Sequence, residues 1–373
     1  MIIECPKMQT YGVKYIGSKA SLVEKIIKNI ERNLGGVATD LRVIDVFTGT
    51  TRVAQAFRSK GWFVQSSDLA WASAAYANAF LIRTQESGKR IPELLQELQS
   101  KVATAELAPS WITENYCDVS GTKGGIVRMW KPKNGLRADF IRNSIEDMLS
   151  AGEINQHESM ILTTCLIFAL DKVDNSVGVQ QAYLKEWAQR TDNDLQLVDL
   201  PFYNGPVGRH TCGNSLEVPY ESADLAYLDP PYSNHSYSTY YHIWDSITRW
   251  DKPEVGLNTN RRVDRVSKHD DFDESMVSVW NSKRTALDAF IALCKRLPVK
   301  YLLISYNNES LVPLDQLLGG LEGEFGKENI NVEEIAYQRN IMSQIGNATL
   351  YKEEFKTQNI EVLIWISCCA KKN

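Results

Sequence analysis

The run Leu225-Ala226-Tyr227-Leu228 ends on Asp229-Pro230-Pro231-Tyr232, and this junction limits the architecture more tightly than any other segment. A short apolar run closed by two prolines reads as a buried strand that stops abruptly, because proline has no N–H with which to extend a sheet ladder. An acid and an aromatic ring are thereby left at the strand's carboxyl end, the edge where open α/β sheets bind ligands. A carboxylate acceptor, a carbonyl fixed by prolines and an aromatic face suit a planar base gripped by its exocyclic amine.

The rest of such a site occurs upstream. Lys14-Tyr15-Ile16-Gly17-Ser18-Lys19 precedes Val43-Ile44-Asp45-Val46-Phe47-Thr48-Gly49-Thr50, a strand that runs into a small-residue turn and then a helix over Arg52 to Lys60. In this nucleotide-binding plan glycine lets backbone approach the ligand and the helix start offers free N–H donors. A second strand, Trp62 to Ser66, leads to Asp68. That carboxylate follows the turn by about 20 residues, the spacing that grips ribose hydroxyls. The Gly-x-Gly-x-x-Gly turn that a pyrophosphate wants is absent, which favours S-adenosylmethionine over NAD.

These segments together resemble the Dam-related class of DNA adenine methyltransferases, and more narrowly the FokI-type modification methylases. The likeness runs nearly end to end. It includes Asn134-Gly135 with Arg137 and Asp139, Asn175-Ser176-Val177-Gly178 ahead of Tyr183-Leu184-Lys185, Tyr240-Tyr241-His242, Ser305-Tyr306-Asn307-Asn308 and Glu361-Val362-Leu363-Ile364. It implies a Rossmann-like α/β sheet, S-adenosylmethionine as cofactor and double-stranded DNA as partner. Asp229, Pro230, Pro231 and Tyr232 would be catalytic, and Tyr15, Lys19, Asp45, Phe47, Gly49, Thr50, Asp68 and Asn214 would bind the cofactor. Two positions depart from the family pattern: Thr51 stands where a second glycine is usual, and Asn214 where an acid often meets the cofactor adenine. Threonine resists positive φ. An amide still hydrogen-bonds.

Composition suits an ordinary globular chain: 373 residues, 43% hydrophobic and 23% charged, enough for one large core or two unequal ones. The seven cysteines include no C-x-x-C pair and the five histidines no ligand spacing, which argues against structural zinc and for reduced thiols in a cytoplasm. The resemblance implies a prokaryotic, phage or plasmid source. No basic-then-apolar start marks secretion, and Ile161 to Leu170 is too short to span a bilayer. We expect a catalytic core over 1–84 and 209–373, and a mainly helical insertion over 85–208 that reads the DNA target. Helices are expected over Pro92 to Ala105, Ile141 to Leu149 and Met160 to Asp171, with Gly121 to Gly125 as a loop.

A net charge of −5 is unusual for a DNA-binding chain, but local charge decides contact with a duplex. Between Lys123 and Arg142 stand Lys123, Arg128, Lys131, Lys133, Arg137 and Arg142 against Asp139 alone, and Arg261, Arg262, Arg265 and Lys268 form a second cluster. We therefore expect Arg128, Lys131, Lys133, Arg137, Arg261 and Arg262 to face phosphates or bases. Lys14 or Lys19 is expected at the cofactor carboxylate. Phe47 fits core packing or a cofactor wall, His242 a structural or catalytic role, and Tyr306 and Asn307 the base pocket or a turn cap.

Hydrogen bonds from adenine's amine to Asp229 and the Pro230 carbonyl would draw the nitrogen toward tetrahedral geometry and free its lone pair for in-line methyl transfer. The base would first leave the stack and lie on Tyr232. Two other classes compete: a cytosine amino-methyltransferase, which usually has serine in place of Asp229, and a non-catalytic DNA- or cofactor-binding relative. A cognate restriction endonuclease and an orphan modification role are both compatible with the resemblance.

Overall fold

The computed structural model describes residues 8–118, 128–180, 183–184, 186–231, 237–256, 259–266, 269–274, 277–307, 310–337 and 359–368. The expected catalytic Tyr232, the cations Lys123 and Lys268 and the loop 121–125 lie outside them. Seven strands form one sheet: β1 (Arg42–Asp45), β2 (Phe63–Asp68), β3 (Arg209–Cys212), β4 (Ala223–Leu228), β5 (Val299–Asn307), β6 (Ile330–Tyr337) and β7 (Asn359–Ser367). The helices are α1 (Val23–Asn33), α2 (Arg52–Ser59), α3 (Trp71–Ala77), α4 (Ile91–Thr104), α5 (Trp111–Tyr116), α6 (Pro132–Ser150), α7 (Gln156–Lys172), α8 (Tyr237–Tyr240), α9 (His242–Arg249), α10 (Ala286–Arg296) and α11 (Leu314–Phe325).

Strand order is β3-β2-β1-β4-β5-β7-β6. Neighbours are parallel from β3 to β5, whereas β7 pairs antiparallel with both β5 and β6. The period-2 alternation of a strand buried on both faces explains the apolar runs. Val43, Leu225, Tyr227 and Leu303 point into a core shared with Ile26 and Ile30 of α1 and Phe57 of α2. Ile44, Ala226, Leu228, Leu302 and Ile304 point to the other face, against Phe290 and Leu293 of α10 and Leu317 and Leu321 of α11. A third core joins Tyr76 of α3, Ile145 of α6, Leu162, Leu166 and Leu170 of α7, and Ile243 and Ile247 of α9. The helices of 85–208 thus share packing with α3 and α9.

Helix α6 is longer than its sequence suggests. Pro132 and Gly135 look like breakers, but proline is tolerated in the first helical turn, and Gly135 lies where a Cβ would come within 2.2 Å of Cys117 Sγ. The glycine lets α6 lie directly against α5. Chain order reverses between β1, which continues to β2 and β3, and β4, which continues to β5. The crevice at such a switch point, beyond the carboxyl ends of the strands, is where open α/β sheets take ligands.

Candidate functional site

At that crevice a cavity of ≈ 200 Å³ is lined by residues from both halves of the sheet, among them Asp45, Phe47, Gly49, Thr50, Asp68, Asn214, Asp229 and Pro230. The β1 turn is built from its own side chains. Thr48 Oγ1 donates to Asp45 Oδ2 at 2.7 Å, and the Gly49 N–H donates to Asp68 Oδ2 at 2.8 Å. Asp68 Oδ1 accepts from the Ala70 N–H at 2.9 Å, so one carboxylate ties the turn to the start of α3. Gly49 has φ 48° and Thr51 has φ 60°. Thr51 therefore takes the left-handed conformation itself, while its hydroxyl accepts from Gln55 Nε2 at 3.0 Å. The turn keeps a glycine-like path at a cost of roughly 1–2 kcal/mol.

Residues 10–12 form a strap over α2. Arg52 donates to the carbonyls of Thr10 and Gly12, both at 2.8 Å, and Gln55 accepts from the Tyr11 N–H at 2.8 Å. The strap delivers Tyr15 onto the turn, its ring stacked on Tyr241 with centroids 4.3 Å apart and tilted against Tyr237 at 5.5 Å. The Tyr241 hydroxyl accepts from the Ile16 N–H at 2.7 Å and donates to the Gly178 carbonyl at 3.3 Å. Lys14 pairs with Asp174 at 2.7 Å and Asp171 at 3.6 Å. Phe47 meets the Trp280 ring edge-on at 5.1 Å. Trp280, Tyr237 and Tyr241 line the cavity; Trp280 and Tyr237 were not singled out from sequence, and Tyr241 only as part of the Tyr240-Tyr241-His242 segment.

Lys19 lines the same cavity, with its ammonium turned to two carboxylates of the protein. Its side chain is 5% exposed, and its ammonium lies 2.9 Å from Asp229 Oδ1 and 3.0 Å from Glu361 Oε1. The ammonium already serves two carboxylates of the protein itself. Burial raises the pKa of Asp229, the Lys19 ammonium opposes that rise, and Glu361 adds to it. Burial also pushes Asp45 up to about 7 and Asp245 to about 6, and raises Asp68. Asp45 Oδ1 is buried without a hydrogen-bond partner. With Asp45, Asp68, Asp229 and Asp245 on its wall against Lys19 and Arg52, the cavity carries more acids than cations. Asn214 donates to Glu217 Oε1 at 3.1 Å and accepts from the Leu216 N–H.

Several residues expected to face DNA are internal. Arg262 is 2% exposed and held by Asp251 and Asp264 at 2.8 and 2.9 Å. Arg128, buried to 3%, donates to Asn260 Oδ1. Arg142 donates to the carbonyls of Ile247 and Thr248 at the end of α9. Lys131 pairs with Asp192, while Lys133 and Arg137 both meet Asp194. Local charge is thus partly offset by acids about 60 residues further on. Only Lys131, Lys133, Arg137 and Arg261 of the six expected side chains reach the partly exposed surface. His242 is fully buried beside Tyr116, and burial pushes its pKa to about 3. Tyr306 donates to the Val312 carbonyl at 2.9 Å, which caps the turn after β5, and it also lines a small pocket with Pro230 and Pro231.

Comparison with known proteins fits this arrangement. "Modification methylase StsI" of Streptococcus sanguinis is 27% identical over 333 residues, covering 88% of this chain and 48% of that protein. "Type II methyltransferase M.FokI" of Planomicrobium okeanokoites is 27% identical over 341 residues, covering 88% and 49%. This chain therefore spans about half the length of those two relatives. "Type II methyltransferase M.NlaIII" of Neisseria lactamica is 28% identical over 325 residues, covering 85% of this chain and 90% of its own. The family profile described as D12 class N6 adenine-specific DNA methyltransferase matches residues 15–302, a span that takes in Tyr15, Lys19, the Asp45–Thr50 turn, Asp68 and the strand ending at Asp229, and the chain belongs to that family.

Proposed function

We propose that this chain transfers a methyl group from S-adenosylmethionine to the exocyclic amine of an adenine flipped out of double-stranded DNA. The observation that carries the reading is one cavity joining the Asp45–Thr50 turn to Asp229 and Pro230. The unpartnered Asp45 Oδ1 suits the ammonium of a methionyl group. Asp68, which already organises the turn, retains acceptor capacity for ribose hydroxyls. Phe47, Trp280 and Asn214 offer aromatic walls and an amide for the adenine. When bound, the sulfonium supplies an activated methyl.

The remaining work belongs to the protein. Asp229 and the Pro230 carbonyl accept hydrogen bonds from the two amine N–H groups, which orients the nitrogen and frees its lone pair, and once the nitrogen carries the methyl group it loses one of those protons through Asp229 to solvent. Asp229 must be ionised to do so, and the Lys19 ammonium beside it favours that form against the cost of burial. Tyr232 follows in the quartet as the proposed stacking face. Helices α4–α7 and the partly exposed cations Lys131, Lys133, Arg137 and Arg261 are proposed to meet the duplex, with residues 85–208 as the target-recognition insertion on a core of 1–84 and 209–373. Because the relatives carry the name modification methylase, the reading extends to restriction–modification, with a cognate endonuclease as partner. Among the described residues no helix is long and apolar enough to cross a membrane, and cytoplasmic action on DNA is the matching location. Methylation-aware sequencing of DNA from cells expressing the chain tests the whole reading: N6-methyladenine within one short motif supports it, and unmodified adenine overturns it.

A further inference from the structure

Glu361 lies in β7, within the otherwise apolar run Ile360 to Ile366, and is 1% exposed. An ionised carboxylate in that position costs several kcal/mol unless it is paired. Its Oε1 accepts from Ser305 Oγ on β5, the strand paired with β7, and from the Lys19 ammonium at 3.0 Å. Lys19 is fixed in turn by its place just ahead of α1, where its carbonyl accepts from the N–H groups of Leu22 and Val23 at 2.8 and 3.0 Å. Asp229 takes the other side of the same ammonium at 2.9 Å. One buried cation thus stands between the buried Glu361 and the partly buried Asp229.

Neutrality alone would be met by Lys19 and Asp229. The third charge adds desolvation cost, and a glutamine at 361 could make the same two hydrogen bonds without it. The retained charge is therefore the informative feature. A lysine shared with Glu361 pulls less on Asp229 than one devoted to it, leaving Asp229 a stronger acceptor. A missing lysine would remove the ammonium that offsets the burial of Asp229.

We propose that Glu361 is a positioning residue for Asp229: by dividing the Lys19 ammonium between two carboxylates, it presents Asp229 to the substrate amine as a more basic acceptor, aligned through Oδ1. This deepens the methyl-transfer reading and rests on it. Other groups facing Asp229 are Tyr227 on the same strand, Tyr237 of α8 and Asp45 of β1. Neither tyrosine carries charge near neutral pH, since burial raises both phenols. Asp45 acts alike in the wild type and in every variant of the test.

The test is a matched pair, Glu361→Gln and Lys19→Met, in the full chain. Single-turnover methyl transfer is followed from pH 5 to 9, and the Asp229 carboxyl is titrated by 13C NMR with Asp229→Asn for assignment. In Glu361→Gln the lysine falls wholly to Asp229, so the acid limb of the rate moves to lower pH and the plateau rate falls about 10-fold. Lys19→Met moves the limb to higher pH and slows transfer at neutral pH by on the order of 100-fold, partly recovered by raising pH. S-adenosylmethionine affinity stays within about twofold in Glu361→Gln. A merely structural role would lower rates without opposite shifts of the limb, and unchanged Asp229 titration in both variants overturns the proposal. If Lys19→Met does not fold, Glu361→Gln with Lys19→Arg, which restores the charge and the wild-type limb, decides the same question. An inactive wild type would sink the methyl-transfer reading instead, while the NMR titration still tests the charge arrangement.

Discussion

Asp45→Asn should stabilise the ligand-free protein while weakening its binding of S-adenosylmethionine. Asp45 is 1% exposed, Thr48 Oγ1 meets its Oδ2 at 2.7 Å, and its Oδ1 has no partner. Burial is the largest cause of a pKa raised from 3.8 to about 7, with the Thr48 hydroxyl opposing and Asp229 and Asp68 adding to it. Because the folded pKa lies above the unfolded one, the native state keeps its full stability below pH 3.8 and loses it as pH rises toward 7. About three units correspond to roughly 4 kcal/mol. An asparagine avoids that loss, keeps an oxygen for Thr48 and leaves a buried amide N–H short of an acceptor, which costs about 1 kcal/mol. The variant should therefore be more stable by about 3 kcal/mol at pH 8, and equal or slightly less stable near pH 4. Urea unfolding at pH 4, 6 and 8 without ligand reads this difference. Calorimetry should show cofactor binding weaker by about 10- to 100-fold, the loss of a charge-assisted bond. A stability difference independent of pH, or undiminished cofactor affinity, would refute the reasoning.

The cationic residues divide into two groups with opposite outcomes. Arg262→Met should destabilise the fold by about 1–2 kcal/mol by removing the buried guanidinium shared by Asp251 and Asp264, which keep Arg249 and Arg265 at 3.3 and 3.6 Å, with the salt dependence of DNA binding unchanged; a normal melting curve with a reduced salt slope would return Arg262 to the interface. Replacing Lys131 and Lys133 together by alanine should lower the log-affinity versus log-salt slope by about 0.9 for each phosphate no longer neutralised, whereas Asp192→Asn with Asp194→Asn should tighten binding to every sequence. Filter binding over a salt series separates these cases, and no change in either pair removes this face from the DNA interface.

What was legible in the sequence followed from local pattern. Two-sided burial wrote β1, β4 and the apolar part of β5 as apolar runs, and the prolines after Leu228 marked where the sheet edge had to be. Strand β6 was harder to see, because its first six residues, Ile330 to Ile335, mix apolar and acidic residues at what is, among the described residues, a sheet edge, with one row of backbone groups facing no partner strand. Helix α7 begins four residues before its apolar stretch, and only the reciprocal capping of Asn155 and Glu158 marks that start. Charge counting failed for a different reason. The partners of Lys131 and Lys133 lie at 192 and 194, and the burial of Arg128 and Arg262 depends on elements distant in the chain. Glu361 carried a visible signal, a lone acid inside an apolar strand, which buried strands almost never hold unpaired. Its link to Lys19 and Asp229, more than a hundred residues away, required the fold.

The central claim is that Asp229 grips the amine of an adenine while the turn at Asp45 holds the methyl donor. Its most direct test is radiolabelled methyl transfer to duplex DNA followed by nucleoside analysis, run beside calorimetric titration of S-adenosylmethionine, for the wild type and Asp229→Ala. The account predicts N6-methyladenine from the wild type, a loss on the order of 100-fold or more in the variant, and similar cofactor affinity in both. Label on cytosine, no label at all, or equal loss of transfer and cofactor binding in Asp229→Ala would contradict it.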